Sequence, residues 1–276
     1  MFRRIAILLC LCAPAFAFES VQLKKTIPAP HGAKTAALTT IAVDATGRFW
    51  VTDPANDQVH EYSAEGEFAQ SIGHHGAGPG EFSGPRGIAL STDGLLYVAD
   101  SGNARIQIFS SDGKYQDAFG QKGSEAGQFH TPWYLAVSRD GVVLVADKDS
   151  SRVQFFSKDG VFLHAIDVAA PIDGLAVDPA GRIYVSHKKL KDVEQWSSAG
   201  QLLKTWTGVE PGMKGFSEPR SLAVSPAGLL YVEDTDNNNF RELDLTGRIL
   251  GVFGRSGNGE GQFRSMEGIA VLEDTV

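Results

Sequence analysis

The stretch that decides the fold is residues 85–120, which reads PRGIALSTDGLLYVADSGNARIQIFSSDGKYQDAFG. It contains four short apolar or alternating runs, separated by three clusters of Ser, Asp, Asn and Gly that are typical of tight turns. In the third run Ile106 and Ile108 alternate with Arg105 and Gln107, which is the period of a half-buried strand. The stretch therefore predicts four antiparallel strands joined as a meander.

This unit recurs from Ile41 to the C-terminus. The repeat is 47 residues long except in the third copy, which is 40 residues long because it is shorter after its final turn. The first strands of the six copies begin near Ile41, Ile88, Leu135, Leu175, Leu222 and Ile269. One four-stranded sheet leaves both of its faces uncovered, so neighbouring copies are expected to pack on one another.

The recurring pattern, G-x-x-G-x-G-x-G-x-F-x-x-P-x-G-I-A-V-x-x-D-G-x-L-Y-V-A-D-x-x-N-x-R-I-Q-x-F, resembles the NHL repeat. Residues 73–109 and 120–155 match it best, and the resemblance covers nearly everything from Ile41 onward. It implies an all-β fold, a six-bladed β-propeller of four-stranded antiparallel blades. The resemblance says less about function, because NHL propellers include protein-binding scaffolds, RNA-binding modules and a few lyases.

The closing blade is expected to be shared by both chain ends and to be incomplete. Residues 19–40, with the strand-like run 21–27, resemble an outer strand displaced to the N-terminus, which would leave no sheet edge bare. From Ile269 to Val276 the sequence supplies only the first strand of the other half. A truncated chain and an abbreviated sixth blade both explain this, and the bare edges favour truncation, with downstream sequence or a partner completing the blade.

Residues 1–17 have the features of a secretory signal peptide. Arg3 and Arg4 precede a short apolar run, and Ala15-Phe16-Ala17 provides the cleavage site. The run is too short to span a membrane, so we expect export to the periplasm or the extracellular space, with no membrane insertion after cleavage. Residues 18–276 would then form the propeller domain.

Cysteine content and charge restrict the partners. Cys10 and Cys12 both lie inside the predicted signal, so the mature chain would contain no disulfide. Lipidation of Cys12 is the alternative, but the residues before it lack the small side chains that such a signal requires. Loss of Arg3 and Arg4 would change the net charge from −8 to about −10, which repels nucleic-acid phosphates and anionic lipids. We therefore expect no nucleic-acid partner.

Residues that break the repeat near the propeller centre are the candidate binding site. The position two residues before each first strand should lie at the mouth of the central channel. It is occupied by Arg86, Trp133, Asp173, Arg220 and Glu267. Trp133 is followed by Tyr134, where three other copies have Gly, and the pair is the best candidate for a ligand platform. Packing of Trp133 as a lid over a neighbouring loop is the alternative.

A second repeat position carries a carboxylate at the end of the second strand in four copies. It holds Asp53, Asp100, Asp147 and Asp234. A ring of carboxylates is compatible with a metal, but a cap on each following turn explains every copy, so we predict no metal site. His187 fills this position in the fourth copy and joins the binding candidates, because an imidazole titrates near neutral pH.

The sequence therefore predicts an exported, non-enzymatic scaffold without a cofactor. It would bind a protein or a small-molecule ligand through the loop-rich face around the channel. The alternative is a metal-dependent propeller lyase or hydrolase resembling the peptidyl-amidoglycolate or streptogramin lyases. Such a site would require two or three histidines at the channel, and only His187 is predicted there, so no catalytic residue is assigned.

Overall fold

The computed structural model describes residues 5–7, 25–27, 38–148, 151–257, 262–263 and 268–271. Five four-stranded sheets follow one another along this part of the chain, and each is an antiparallel meander in sequence order. The helical structure found there is a single 3-10 turn, Ser101–Asn103. Within the described ranges there is accordingly no helix with the length and apolar character needed to cross a membrane.

The strands are numbered in chain order and grouped into blades. A short pair, β1 (Ile5–Ile7) and β2 (Lys25–Ile27), precedes the blades. Blade 1 consists of β3 (Ile41–Val43), β4 (Phe49–Asp53), β5 (Gln58–Tyr62) and β6 (Phe68–Ile72). Blade 2 consists of β7 (Pro85–Leu90), β8 (Leu96–Asp100), β9 (Arg105–Phe109) and β10 (Tyr115–Phe119).

The next connection contains the parallel pair β11 (Gln121–Lys122) and β12 (Gln128–Phe129). Blade 3 consists of β13 (Pro132–Val137), β14 (Val143–Asp147), β15 (Arg152–Phe156) and β16 (Phe162–Asp167). Blade 4 consists of β17 (Gly174–Val177), β18 (Ile183–His187), β19 (Asp192–Trp196) and β20 (Leu202–Trp206).

Blade 5 consists of β21 (Pro219–Val224), β22 (Leu229–Asp234), β23 (Asn239–Asp244) and β24 (Ile249–Phe253). A second parallel pair, β25 (Arg255–Ser256) and β26 (Gln262–Phe263), follows it. The predicted four-stranded antiparallel meander is thus confirmed for the five copies that begin at residues 41, 88, 135, 175 and 222.

The first and third turns of each blade follow from their glycines. In blade 2, Gly94 has φ +87° and Gly113 has φ +80°, values that L side chains rarely adopt. At the start of the first of these turns, the Ser91 hydroxyl accepts the backbone N–H of Leu95 at 2.9 Å. The Ser/Asp-x-x-Gly pattern is therefore sufficient to predict the chain reversals at the first and third turns.

The first strand of each blade lies at the hub and the fourth lies at the rim. Along the ring, β3 contacts β7, β7 contacts β13, β13 contacts β17 and β17 contacts β21. Second strands such as β8 are buried throughout, whereas four of the five residues of the rim strand β20 are exposed. The core consists of apolar layers between blades, such as the layer of blades 2 and 3 that contains Tyr97, Leu135 and Phe156.

The described residues form five complete blades, not the six that were predicted. Residues 268–271, where the sixth copy begins, lie between blade 5 and blade 1. Ile269 packs with Tyr231 and Phe240 of blade 5. On the other side, a Cβ placed on Gly268 would lie 2.9 Å from the Thr39 carbonyl oxygen, just before β3. This segment therefore brings the end of the fifth blade to the start of the first.

The N-terminal strand does not join a blade as predicted. Lys25–Ile27 pairs antiparallel with Ile5–Ile7, with Ile5 opposite Ile27, and the two form a separate sheet. Both segments are short and partly apolar, and pairing satisfies backbone groups that a lone strand would leave bare. The predicted cleavage site, both cysteines and residues 272–276 lie outside the described residues.

Candidate functional site

The second turns and the connections between blades lie on the same face, which we call the connection face. Buried carboxylates at the ends of the second strands hold the two kinds of loop together. Asp100 accepts the backbone N–H of Ser83 at 2.8 Å, and Asp147 accepts those of His130 at 2.8 Å and Thr131 at 2.9 Å. These loops are therefore fixed to the rigid sheets beneath them.

The structure gives the shared carboxylate position a second role besides the predicted cap. Asp53 caps the turn that follows it, because it accepts the N–H of Ala55 at 3.2 Å. Asp100 and Asp234 accept the side-chain amide of an asparagine in the following turn. At Asp100, Asp147 and Asp234 the carboxylate also accepts backbone N–H groups of the preceding connection. No group of three or more His, Cys, Asp or Glu side chains is arranged to hold a metal ion within the part of the chain described above.

His187 is the last residue of β18 in blade 4, and it is buried beneath the connection face. Its side chain has no exposed surface, Nδ1 lies 3.1 Å from the Pro171 carbonyl oxygen, and Nε2 lies 3.2 Å from Glu194 Oε2. Burial opposes protonation, but the nearby Glu194 carboxylate and the hydrogen bond to the Pro171 carbonyl outweigh it and raise the pKa of His187. The imidazole thus ties the short third connection to its blade.

Trp133 and Arg86 meet at the hub. The Arg86 guanidinium carbon lies 4.4 Å from the centre of the Trp133 ring, and the Lys148 ammonium nitrogen lies 4.0 Å from the same centre. Both distances are within the range of a cation–π interaction. Arg86 comes from β7, Trp133 from β13 and Lys148 from the second turn of blade 3, so two blades build this arrangement.

Tyr134 points from blade 3 toward blades 4 and 5. Burial raises the pKa of its phenol, and the carboxylate of Asp173 adds to the rise, whereas the positive charge of Arg220 opposes it. The phenol is therefore protonated at neutral pH. These electrostatic contacts place Tyr134, Asp173 and Arg220 in one neighbourhood, although they belong to three blades.

The charged residues Arg220 and Asp173 near Tyr134 each form an ion pair within the chain. Arg220 Nη2 lies 2.9 Å from Glu218 Oε1, and the Arg220 side chain keeps about a third of its surface exposed. Asp173 accepts the backbone N–H of Lys188 at 3.0 Å, and its other oxygen lies 3.7 Å from the Lys188 ammonium. Arg220 therefore remains accessible, while Asp173 is largely engaged within the chain.

We call the set Arg86, Trp133, Tyr134, Asp173 and Arg220 the hub cluster. All five were predicted from the sequence, and the structure brings them into two adjoining groups at the first strands. Glu267, the sixth candidate at the same repeat position, lies outside the described residues.

Two residues of this region were missed by sequence reasoning. Lys148 is the first residue of a second turn, and the same turn position in blade 4 also holds a lysine, Lys188. Glu233 lies in β22, where the other copies have the small residues Thr, Ala, Ala and Ser. It is fully buried and interacts electrostatically with Tyr134. Comparison of the second strands, position by position, would have identified Glu233 as a departure from the repeat.

Comparisons with known proteins agree with this architecture. Residues 82–109 match the NHL repeat. No curated protein shows a significant sequence match. Among solved structures, virginiamycin B lyase from Staphylococcus aureus is similar, with a TM-score of 0.65 and 13% identity over 91% of this chain and 79% of that chain.

A protein of unknown function from Bacteroides caccae has a TM-score of 0.69 and 15% identity, over 91% of this chain and 90% of that chain. A chain of the nidogen/laminin complex has a TM-score of 0.64 and 18% identity, over 79% of this chain and 80% of that chain. At such identities the likeness concerns the fold. The chain is therefore a β-propeller whose five described blades share one strand order, and residues of its second blade match the NHL repeat.

Proposed function

We propose that this propeller is a non-enzymatic binding module that holds a partner protein on the hub cluster. The observation that carries the proposal is that residues from separate repeats interact near the hub: Arg86 lies over the Trp133 ring, and Arg220 interacts electrostatically with Tyr134. Trp, Tyr and Arg are the residue types that dominate the energetics of protein–protein interfaces. Because these residues lie on the first strands of their blades, binding would need little rearrangement.

The charges of the hub cluster indicate the chemistry of the partner. Two cations, Arg86 and Lys148, lie over Trp133, whereas the chain as a whole has a net charge of −8. A local positive group on an acidic protein favours an acidic contact at that point. The partner would therefore offer an apolar or aromatic side chain to Trp133 and a carboxylate beside it.

Selection from a random peptide library displayed on phage tests this proposal. The selected peptides are expected to bind the wild-type chain and to lose at least tenfold in affinity for the double variant Trp133→Ala, Arg220→Ala. The matched control is Leu202→Ala, Leu203→Ala, which removes two exposed side chains from the rim strand β20 and should leave binding unchanged. Equal binding to the hub variant and the wild type would reject this surface.

A lyase is the second candidate, and the same face would have to carry it. The fold is similar to that of virginiamycin B lyase, whose structure was solved with quinupristin. Incubation of the chain with quinupristin and a divalent cation, followed by mass spectrometry, separates the two functions. If the chain only binds a partner, quinupristin should remain intact. Conversion of quinupristin by the wild type, but not by the double variant Trp133→Ala, Arg220→Ala, would establish the lyase instead.

The proposed setting is outside the cytoplasm, because residues 1–17 have the pattern of a signal peptide. N-terminal sequencing of the protein recovered from its native compartment is expected to give Phe18 as the first residue. A retained N-terminus would contradict this proposal.

We also propose a ring of six repeats, since residues 268–271 lie between blades 5 and 1 where a sixth first strand belongs.

A further inference from the structure

The opposite face of the propeller carries the first and third turns, and we call it the turn face. On this side, a large ring from the second strand packs toward the next blade in four of the five blades. One repeat position supplies these rings: Trp50 in blade 1, Tyr97 in blade 2, Tyr184 in blade 4 and Tyr231 in blade 5, and all four are buried. In blade 3 the same position is Leu144.

The groove between blades 2 and 3 shows what such a ring does. The Tyr97 hydroxyl donates to the Lys158 carbonyl oxygen at 3.0 Å, across the groove in the third turn of blade 3. The repeat position of Lys158 corresponds to Ser198 in the third turn of blade 4. In the groove between blades 3 and 4, Leu144 provides neither a ring nor a hydroxyl that could reach Ser198.

A cavity of about 400 Å³ lies in that groove. Its apolar lining includes Leu144 and Phe155 of blade 3 and Val177 and Ile183 of blade 4, and Ser198 of blade 4 also lines it. The first turn of blade 3 adds Ser138 and the charged residues Arg139 and Asp140 to the lining. The cavity is thus found where the repeat lacks its aromatic side chain.

One wall of the cavity is already aromatic. The His164 ring stacks on the Phe155 ring, with centroids 4.0 Å apart and planes at 15°. Beside it, Leu163 is 49% exposed, although it lines the same cavity. A flat ring that entered the groove would cover these groups and would find offset or edge contacts with the stacked pair.

We propose that this cavity binds a small phenolic molecule, which takes the place of the tyrosine ring that blade 3 lacks. The volume lies within the range of about 300–1,000 Å³ that is usual for ligand pockets, and apolar cavities of about 150 Å³ already hold benzene. The ligand hydroxyl would donate to the Ser198 carbonyl, as Tyr97 donates to Lys158 in the neighbouring groove. The site lies on the face opposite the hub cluster and is independent of the proposed partner binding.

The probes are p-cresol, which is the side chain of tyrosine, and 4-methylcyclohexanol, which has the same substituents without the aromatic ring. Titration calorimetry is expected to show one p-cresol site per chain and at least tenfold weaker binding of 4-methylcyclohexanol. Equal affinity for the two would contradict an aromatic site, and so would absence of p-cresol binding.

Two variants locate the site. Leu144→Tyr supplies the missing ring and is expected to abolish p-cresol binding while raising the melting temperature. Tyr97→Leu opens the equivalent groove between blades 2 and 3 and is expected to create a second p-cresol site. Unchanged binding by Leu144→Tyr would overturn the proposal.

A third variant does not depend on how the core tolerates these changes. His164 lies on a rim strand and is exposed, so His164→Ala is expected to leave the fold intact. Loss of the stacked wall should weaken p-cresol binding three- to tenfold. An affinity equal to that of the wild type, measured on folded protein, would place the ligand elsewhere.

Discussion

Arg86 and Trp133 occupy the same position of successive repeats, and the Arg86 guanidinium carbon nevertheless lies 4.4 Å from the centre of the Trp133 ring. The contact depends on Gly87, since a Cβ at that residue would lie 2.5 Å from the Trp133 carbonyl oxygen. A glycine at the first strand therefore lets neighbouring blades approach closely enough for equivalent side chains to touch. Substitutions at this repeat position in neighbouring blades are therefore expected to affect one another.

In a double-mutant cycle of Arg86→Gln and Trp133→Leu, the coupling energy should be about 0.5–1 kcal/mol, because the contact is a partly exposed cation–π interaction. The measurement is urea-induced unfolding of the four proteins. Arg86→Gln combined with Trp196→Leu is the control, since Trp196 lies in blade 4 and its effect should be additive. A coupling of zero in the first cycle would contradict the contact.

Close approach of the blades also predicts the effect of Gly174→Ala. A Cβ at Gly174 would lie 2.1 Å from the Arg220 carbonyl oxygen, which is backbone and cannot rotate away. Blades 4 and 5 would have to separate, at a cost of about 1–3 kcal/mol. Thermal unfolding measures this loss. Ser221→Ala, at the equivalent position of blade 5, should change the melting temperature little, and equal effects of the two substitutions would argue against tight packing at the hub.

The buried pair of His187 and Glu194 predicts a dependence of stability on pH. The pKa of His187 is raised by Glu194 and by the Pro171 carbonyl, so the protonated imidazole stabilises the fold fully below the unfolded-state pKa of 6.5. This contribution is lost as pH rises through the higher folded-state value. The pKa of Glu194 is lowered by His187 and Trp196 despite burial, so its contribution is lost as pH falls below 4.5 and through the folded-state value.

Urea unfolding measured from acid to mildly alkaline pH tests this linkage. The wild type should lose more stability than His187→Gln as pH rises above about 6.5, because glutamine does not titrate. His74→Gln is the control, since His74 lies in a connection and is mostly exposed. Parallel pH profiles for the wild type and His187→Gln would show that His187 does not titrate in this range.

The carboxylates that fix the connections predict a large effect at Asp100. Asp100→Ala would remove the charge partner of Arg105, whose Nε now lies 2.8 Å from that carboxylate, and the acceptor of the Ser83 N–H. Loss of one member of a buried pair costs about 3–5 kcal/mol. Asp112→Ala removes an exposed carboxylate from the third turn of the same blade and should leave the unfolding midpoint close to that of the wild type. Comparable losses for the two would contradict the structural role of Asp100.

Much of the fold could be predicted because local chemistry repeats. The glycines of the first and third turns, such as Gly94 and Gly113, require positive φ, and the alternation around Ile106 gives the strand its two faces. The pairing of Lys25–Ile27 could not be predicted in the same way. A three-residue strand outside the repeat has no turn or neighbour in sequence that fixes its partner.

The candidate site could be predicted only in part. Repeat position identified Arg86 and Trp133, since residues at one repeat position share one place in successive blades. It did not identify Lys148, whose long side chain reaches Trp133 from a turn. The cavity at Leu144 was also missed, because leucine satisfies an apolar pattern as well as tyrosine does, and only packed side chains show that volume is missing.

The most direct test of the account is a crystal structure of the chain with a peptide selected for binding. The peptide is expected to lie on the connection face, with an apolar side chain against Trp133 and a carboxylate within ion-pair distance of Arg86 or Arg220. A peptide bound along the rim strands, with Trp133 uncovered, would contradict it.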